Sequence, residues 1–272
     1  KINDVITKLN QERITKKEEP YTDSSLNSFF AAIMYELKRK NCKNEVLIKE
    51  IRDKMYECKK KYDERNQNNE AIEGDIIVAW DKILDLHKQI EDKKDVNFSS
   101  LTDYVILSLY CMIPPKRNNY AGMVIIKNIA EATDLKKNYY AITDKTFVFN
   151  NYKTAKTKDK KNTESFINKT QYVQLNDNLS IILNEYISDP NNKLKGILFP
   201  NNTKFIFRRL IKMLKIIDAD CNSPIHTLRH SAATQYSKEN TSIKDRKELA
   251  KLMTHSIMMN WYYVKFPKKI TE

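Results

Sequence analysis

Ser223-Pro-Ile-His-Thr-Leu-Arg-His-Ser-Ala-Ala-Thr234 is the stretch on which the fold turns. Pro224 suits the first position of a helix, where a missing N–H costs no hydrogen bond and a fixed φ is already helical. In such a helix His226 and Arg229, three residues apart, share a face. The pair sets a hydrogen-bond donor beside a planar guanidinium, whose fork of N–H groups can grip two oxygens of one phosphate. In isolation, a His and an Arg near a helix start are more often surface or capping residues. The weight of this stretch therefore depends on the rest of the chain.

The chain has 272 residues, enough for one or two compact domains with a sizeable core in at least one. Its formal net charge of +13 points to a polyanionic partner, because clustered Lys and Arg displace the counterions condensed on nucleic acid. An acidic membrane surface or a merely Lys-rich solvated exterior would produce the same balance. Cys42, Cys58, Cys111 and Cys221 lie far apart, form no CxxC pair or Cys/His cluster, and read as buried thiols of a reducing compartment. No apolar run approaches the length of a membrane span and the start is polar, so a soluble intracellular protein is expected. Beginning at Lys1 rather than Met, the chain reads as a fragment or a trimmed form. With only Gly74, Gly122 and Gly196, no GxGxxG or GxxxxGK[ST] phosphate cradle can be written, which argues against the usual nucleotide-driven and dinucleotide enzymes.

The first third reads as helical. Leu26, Phe29, Phe30, Ile33, Met34 and Leu37 recur at the helical period, with Ser24 or Ser25 as the expected cap. A second amphipathic stretch carries Val46, Ile51, Met55 and Cys58, and a third carries Ile76, Ile77, Trp80, Ile83, Leu84 and His87. His87 lies on the apolar stripe and reads as a core-edge histidine rather than a ligand. The charged segment 91–100 breaks the periodicity and is the expected linker, dividing the chain into 1–95 and 96–272. A helix from Leu101 to about Met112 should stop at Pro114 and Pro115. Strand-like runs follow at Met123–Lys127, Thr146–Asn150 and Gln171–Leu175, and helical periodicity returns from Leu179. The expected fold is mainly α with a small antiparallel β-sheet.

Three more stretches accompany residues 223–234 in order: Leu107-Ser-Leu-Tyr-Cys-Met-Ile-Pro-Pro-Lys-Arg-Asn-Asn-Tyr120, Thr146-Phe-Val-Phe-Asn-Asn-Tyr-Lys-Thr-Ala-Lys-Thr157, and Leu252-Met-Thr-His-Ser-Ile-Met-Met-Asn-Trp-Tyr-Tyr-Val-Lys265. Together the four resemble the ordered boxes of the tyrosine recombinases, over roughly residues 101–266. Residues 223–234 resemble the HxLRHxxAT box. The Pro-Pro-x-Arg form is most similar to the branch found in large DNA viruses, virophages and Crypton-type transposons. Cellular and phage members usually carry Gly-Leu-Arg with an acidic residue shortly after, where this chain has Tyr120. The last stretch resembles the LGHS box with Thr254 in place of Gly and a shorter run from His255 to the tyrosines than is commonest.

What the resemblance implies is a helical core-DNA-binding domain (1–95) followed by a catalytic domain (96–272), closing as a clamp on double-stranded DNA as a dimer or tetramer. The activity implied is site-specific cleavage and rejoining of DNA through a 3′-phosphotyrosyl intermediate, with no cofactor, metal or ATP, inside the cell at the DNA. The catalytic set carried over is Arg117, Lys153, His226, Arg229, His255 and the nucleophile Tyr263. Tyr262 is the alternative nucleophile, and Lys156 the alternative lysine. The basic run Lys153, Lys156, Lys158, Lys160 and Lys161 is expected to contact phosphates. Arg117 and Arg229 would hold the nonbridging oxygens, His226 and His255 would orient the phosphate, and Lys153 would protonate the leaving 5′ oxygen. His230 fits a structural hydrogen bond as well as a catalytic one. A type IB topoisomerase uses the same chemistry, and a catalytically silent DNA-binding protein would share the fold.

Overall fold

The computed structural model describes residues 2–67, 78–152, 156–158, 166–168, 170–239, 242–253 and 264. The chain divides into two compact units, residues 1–72 and 73–272. That division falls upstream of the charged 91–100 segment, so the third amphipathic stretch belongs by packing to the larger unit.

The smaller unit holds α1 (Ile2–Thr15), α2 (Asp23–Arg39) and α3 (Glu45–Gln67). Its core is the seam of α2 on α3, where Leu26 and Phe30 meet Ile51 and Cys58, with Ile33, Met34 and Leu37 half-buried around them. Phe29 and Val46, which share the apolar periodicity, face solvent instead. The cap of α2 is Thr22 rather than Ser24 or Ser25: its hydroxyl accepts from the Ser25 N–H, satisfying one of the orphan donors of the first turn.

The larger unit opens with α4 (Trp80–Glu91) packed on α5 (Phe98–Cys111). A 3-10 turn at Lys94–Val96 leads into Asn97, whose side chain caps α5 by accepting from the Ser100 N–H. Helix α5 is buried on nearly every side, from Leu101 to Tyr110, and ends before Pro114 and Pro115 as their geometry requires. His87 sits at the core edge, within 2.7 Å of the Ser108 hydroxyl.

Strands β1 (Val124–Ile126), β2 (Tyr139–Ala141), β3 (Thr146–Phe149) and β6 (Gln171–Gln174) form one sheet in the order β1-β2-β3-β6, and β4 (Lys156–Lys158) pairs with β5 (Phe166–Asn168) in a two-stranded ribbon. The larger sheet is mixed rather than antiparallel, because β1 and β2 run parallel. Parallel neighbours need a crossover, and residues 127–138, with a 3-10 turn at Ile129–Glu131, carry the chain back to start β2 in the same direction. All four residues of β3 are buried, so this strand reads as a continuous apolar run, whereas β6 alternates with Gln171 and Val173 inward.

Helices α6 (Asp177–Ser188), α7 (Thr203–Leu214), α8 (Pro224–Glu239) and α9 (Ile243–Leu252) complete the unit. Helices α6 and α7 pack on α5, and α8 packs on α7 and α4. Arg209 of α7 reaches Asp103 of α5 at 2.5 Å while stacking over Phe205. The fold is thus mainly α with a small sheet. Among the described residues no helix is long and apolar enough to cross a membrane.

Candidate active site

The segment 115–119 lies between α5 and β1 and is anchored from below by Tyr120. The Tyr120 ring is fully buried, with Tyr110, Phe147 and Phe149 centroids at 5.8, 5.7 and 5.9 Å. Tyr120 is therefore a core aromatic, and its desolvation drives the phenol pKa well above 10. Gly122 closes the segment at φ +66°, and a Cβ there would lie 2.7 Å from Asn201 Oδ1, so no other residue fits without displacing that side chain.

From this base the segment reaches three other parts of the unit. Asn138 donates to the Asn119 carbonyl at 2.9 Å, and its Oδ1 accepts from the N–H groups of Asn150 and Asn151 at 3.0 and 2.8 Å. The Arg117 turn is thereby held to the end of β3, two residues before Lys153. Arg229 Nη1 donates to the Pro115 carbonyl at 2.6 Å, and Nη2 to the Met253 carbonyl at 3.1 Å, two residues before His255. Lys116 Nζ donates to Gln171 Oε1 and, at 2.5 Å, to the Leu252 carbonyl. It also sits 4.5 Å over the Phe149 ring, a cation–π contact in a desolvated setting.

The side chains differ sharply in accessibility. Arg117 is half-buried and His226 exposed, whereas Arg229 is fully buried. His226 and His230, one turn apart on α8, bring their ring centroids to 6.5 Å. Lys116 is 1% exposed, and burial, reinforced by the positive charge of Arg229, pushes its ammonium pKa down to about 7. Lys116 and Arg229 are thus two basic side chains buried near one another, each donating to neutral oxygen acceptors.

Several expected site residues lie outside the described residues: Lys153, Lys160, Lys161, His255, Tyr262 and Tyr263. Lys156 and Lys158 fall on β4, where only the backbone is described. Two residues that the sequence did not single out, Lys116 and Gln171, are central to the geometry. Gln171 did carry a signal, being a polar residue at an inward position of an alternating strand. Lys116 carried a weaker one, as the lone cation between a buried helix with two prolines and Arg117. Among the described residues no three His, Cys, Asp or Glu side chains group as metal ligands would.

No protein-family profile and no curated protein sequence matches the chain. Among solved structures, it is similar to one described as the crystal structure of XerA recombinase, with a TM-score of 0.44 and 16% sequence identity. The likeness covers 71% of this chain, which spans 59% of the length of that recombinase.

Proposed function

We propose that this chain is a tyrosine recombinase, of the branch found in large DNA viruses, virophages and Crypton-type transposons, that cuts and rejoins double-stranded DNA. The observation that carries this reading is the convergence on residues 115–119: hydrogen bonds tie that segment to Asn151, Leu252 and Arg229, one in each of the three other boxes. Boxes joined across as many as 136 residues of sequence thus start from one small region. The charge of +13 supplies the attraction to the phosphate backbone.

In the proposed mechanism Tyr263 attacks the phosphorus as phenolate, a form that neighbouring cations favour. The bond to the 5′ oxygen breaks, and that oxygen takes a proton from Lys153. Arg117 and Arg229 offset the charge on the nonbridging oxygens, and His226 and His255 orient them. A 5′ hydroxyl of a second strand then reverses the steps, so the ester bond conserves the energy needed for rejoining. On this reading the helical N-terminal part and the Lys153–Lys161 run contact the backbone, and two or four copies assemble on DNA.

One observation favours a second reading. Arg229 is fully buried with two donors committed to backbone carbonyls, as a purely structural arginine would be. A DNA-binding protein of the same fold that does not cleave would keep that arrangement. Incubation with nicked duplexes followed by denaturing electrophoresis separates the two: a covalent protein–DNA adduct that forms in excess chelator supports the recombinase, and binding without any adduct supports the silent protein.

A further inference from the structure

The last carbonyls of a helix have no partner within it and must find donors elsewhere. At the end of α9, three consecutive carbonyls each receive a side-chain donor from a different element. Gln171 Nε2 of β6 donates to Lys251, Lys116 Nζ donates to Leu252, and Arg229 Nη2 of α8 donates to Met253. Arg229 is a cation, which the negative end of the helix dipole attracts, and Lys116 adds a second charge when protonated. The donors are also fixed to one another. Gln171 is the register partner of Phe149 in the β3–β6 pair, Lys116 lies over the Phe149 ring, and Lys116 holds the Gln171 carbonyl oxygen so that the amide nitrogen points to Lys251.

The apolar anchoring of α9 is modest: in this ten-residue helix Leu249 and Ala250 are buried and Leu252 is partly buried against the core, with Met253 just beyond. A helix so short depends on tertiary contacts for its place. We infer that Lys116 and Gln171 are positioning residues, which pin the end of α9 to the sheet and so set the point from which the chain runs on to His255 and Tyr263. The inference rests on the recombinase reading for its catalytic consequence, but not for the pinning itself. The lowered ammonium pKa of Lys116 agrees with a desolvated contact of this kind.

The test uses the full chain and two variants, Lys116→Met and Gln171→Met, which keep side-chain length and remove the donors. Hydrogen exchange followed by peptide mapping reads the pinning. Single-turnover formation of the covalent adduct on a nicked duplex reads the catalytic effect. In either variant, exchange in the peptide spanning residues 249–253 should accelerate at least about tenfold, with the core of α5 unchanged. Adduct formation should slow by about tenfold to a hundredfold at unchanged DNA affinity, since a misplacement of ~1 Å costs that much. The double variant should be no slower than the worse single one, because the two residues act on one contact. Unchanged exchange at 249–253 overturns the pinning, and altered exchange with an undiminished adduct rate overturns the positioning role. Should Lys116→Met fail to fold, Gln171→Met decides alone, as it leaves the Lys116 amine in place. A wild-type chain that forms no adduct overturns the recombinase reading and the catalytic consequence, while the exchange result still decides the pinning.

Discussion

Lys116 should make the stability of the larger unit depend on pH in a way that one substitution removes. Its ammonium pKa is about 7 in the folded protein against an ordinary value of 10.5, since burial and the Arg229 charge both disfavour the charged form. Between those values the unfolded chain binds the proton and the folded chain does not, so stability rises with pH, by about 1.4 kcal/mol for each pH unit. Below pH 7 both states are protonated and the dependence vanishes. Above about pH 9 a second effect of opposite sign enters: Cys111, held at about 12 by burial, stays protonated in the fold while the unfolded thiol ionises. The clean window is therefore pH 7 to 9, where the gain due to Lys116 is about 2.7 kcal/mol at most. Urea unfolding followed by tryptophan fluorescence suits this unit, because Trp80 packs against its core and the second tryptophan, Trp261, also falls within residues 73–272 of the sequence. The stability of the wild type minus that of Lys116→Met should climb across this window and stay flat from about pH 5 to 6, a unit or more below the folded pKa. Subtraction cancels the tyrosines, cysteines and histidines common to both proteins. A difference that stays constant from pH 6 to 9 would refute the reasoning, since it would mean that Lys116 keeps its charge in the fold without penalty.

Three further outcomes are expected. Tyr263→Phe should bind DNA normally and form no adduct, whereas Tyr262→Phe should retain it; peptide mapping that finds DNA on Tyr262 reverses the assignment. Lys153→Ala should be rescued by a 5′-bridging phosphorothioate, whose sulfur leaves without a proton, and rescue of Lys156→Ala alone transfers the role of acid to Lys156. Arg117→Ala and Arg229→Ala should both abolish the adduct but differ in stability: loss of Arg229 strands the Pro115 and Met253 carbonyls, at about 1–3 kcal/mol each, while half-buried Arg117 leaves no such debt. Equal melting temperatures for the two variants would contradict the buried hydrogen bonds of Arg229.

The helices were legible because their information is local. The 3.6-residue spacing of Leu26, Phe30, Ile33 and Leu37 predicts α2, and the prolines at 114 and 115 predict the end of α5, since backbone geometry admits no continuation there. Capping was less legible, because Thr22, Ser24 and Ser25 can all accept the same N–H and only the path of the chain chooses Thr22. Strand β2 was missed: Tyr139–Ala141 is too short to show alternation, and buried on both faces it has none to show. The order of the boxes also came from the sequence, as did Arg117 and Arg229 as candidates.

What the sequence by itself determined is thus helices α2 to α5 and α7, the interruption at Pro114 and Pro115, and the order of the four stretches that carry the candidate residues. The tertiary structure alone decided that β1 and β2 run parallel, that Lys116 meets Gln171 across 55 residues and Leu252 across 136, and that Arg229 turns inward to the Pro115 and Met253 carbonyls. The physical reason is one of range. Helix periodicity and proline stereochemistry act over a few residues, whereas the partner of a buried cation depends on sheet register and helix packing, where a shift of one residue in β6 would turn Gln171 away from Lys116.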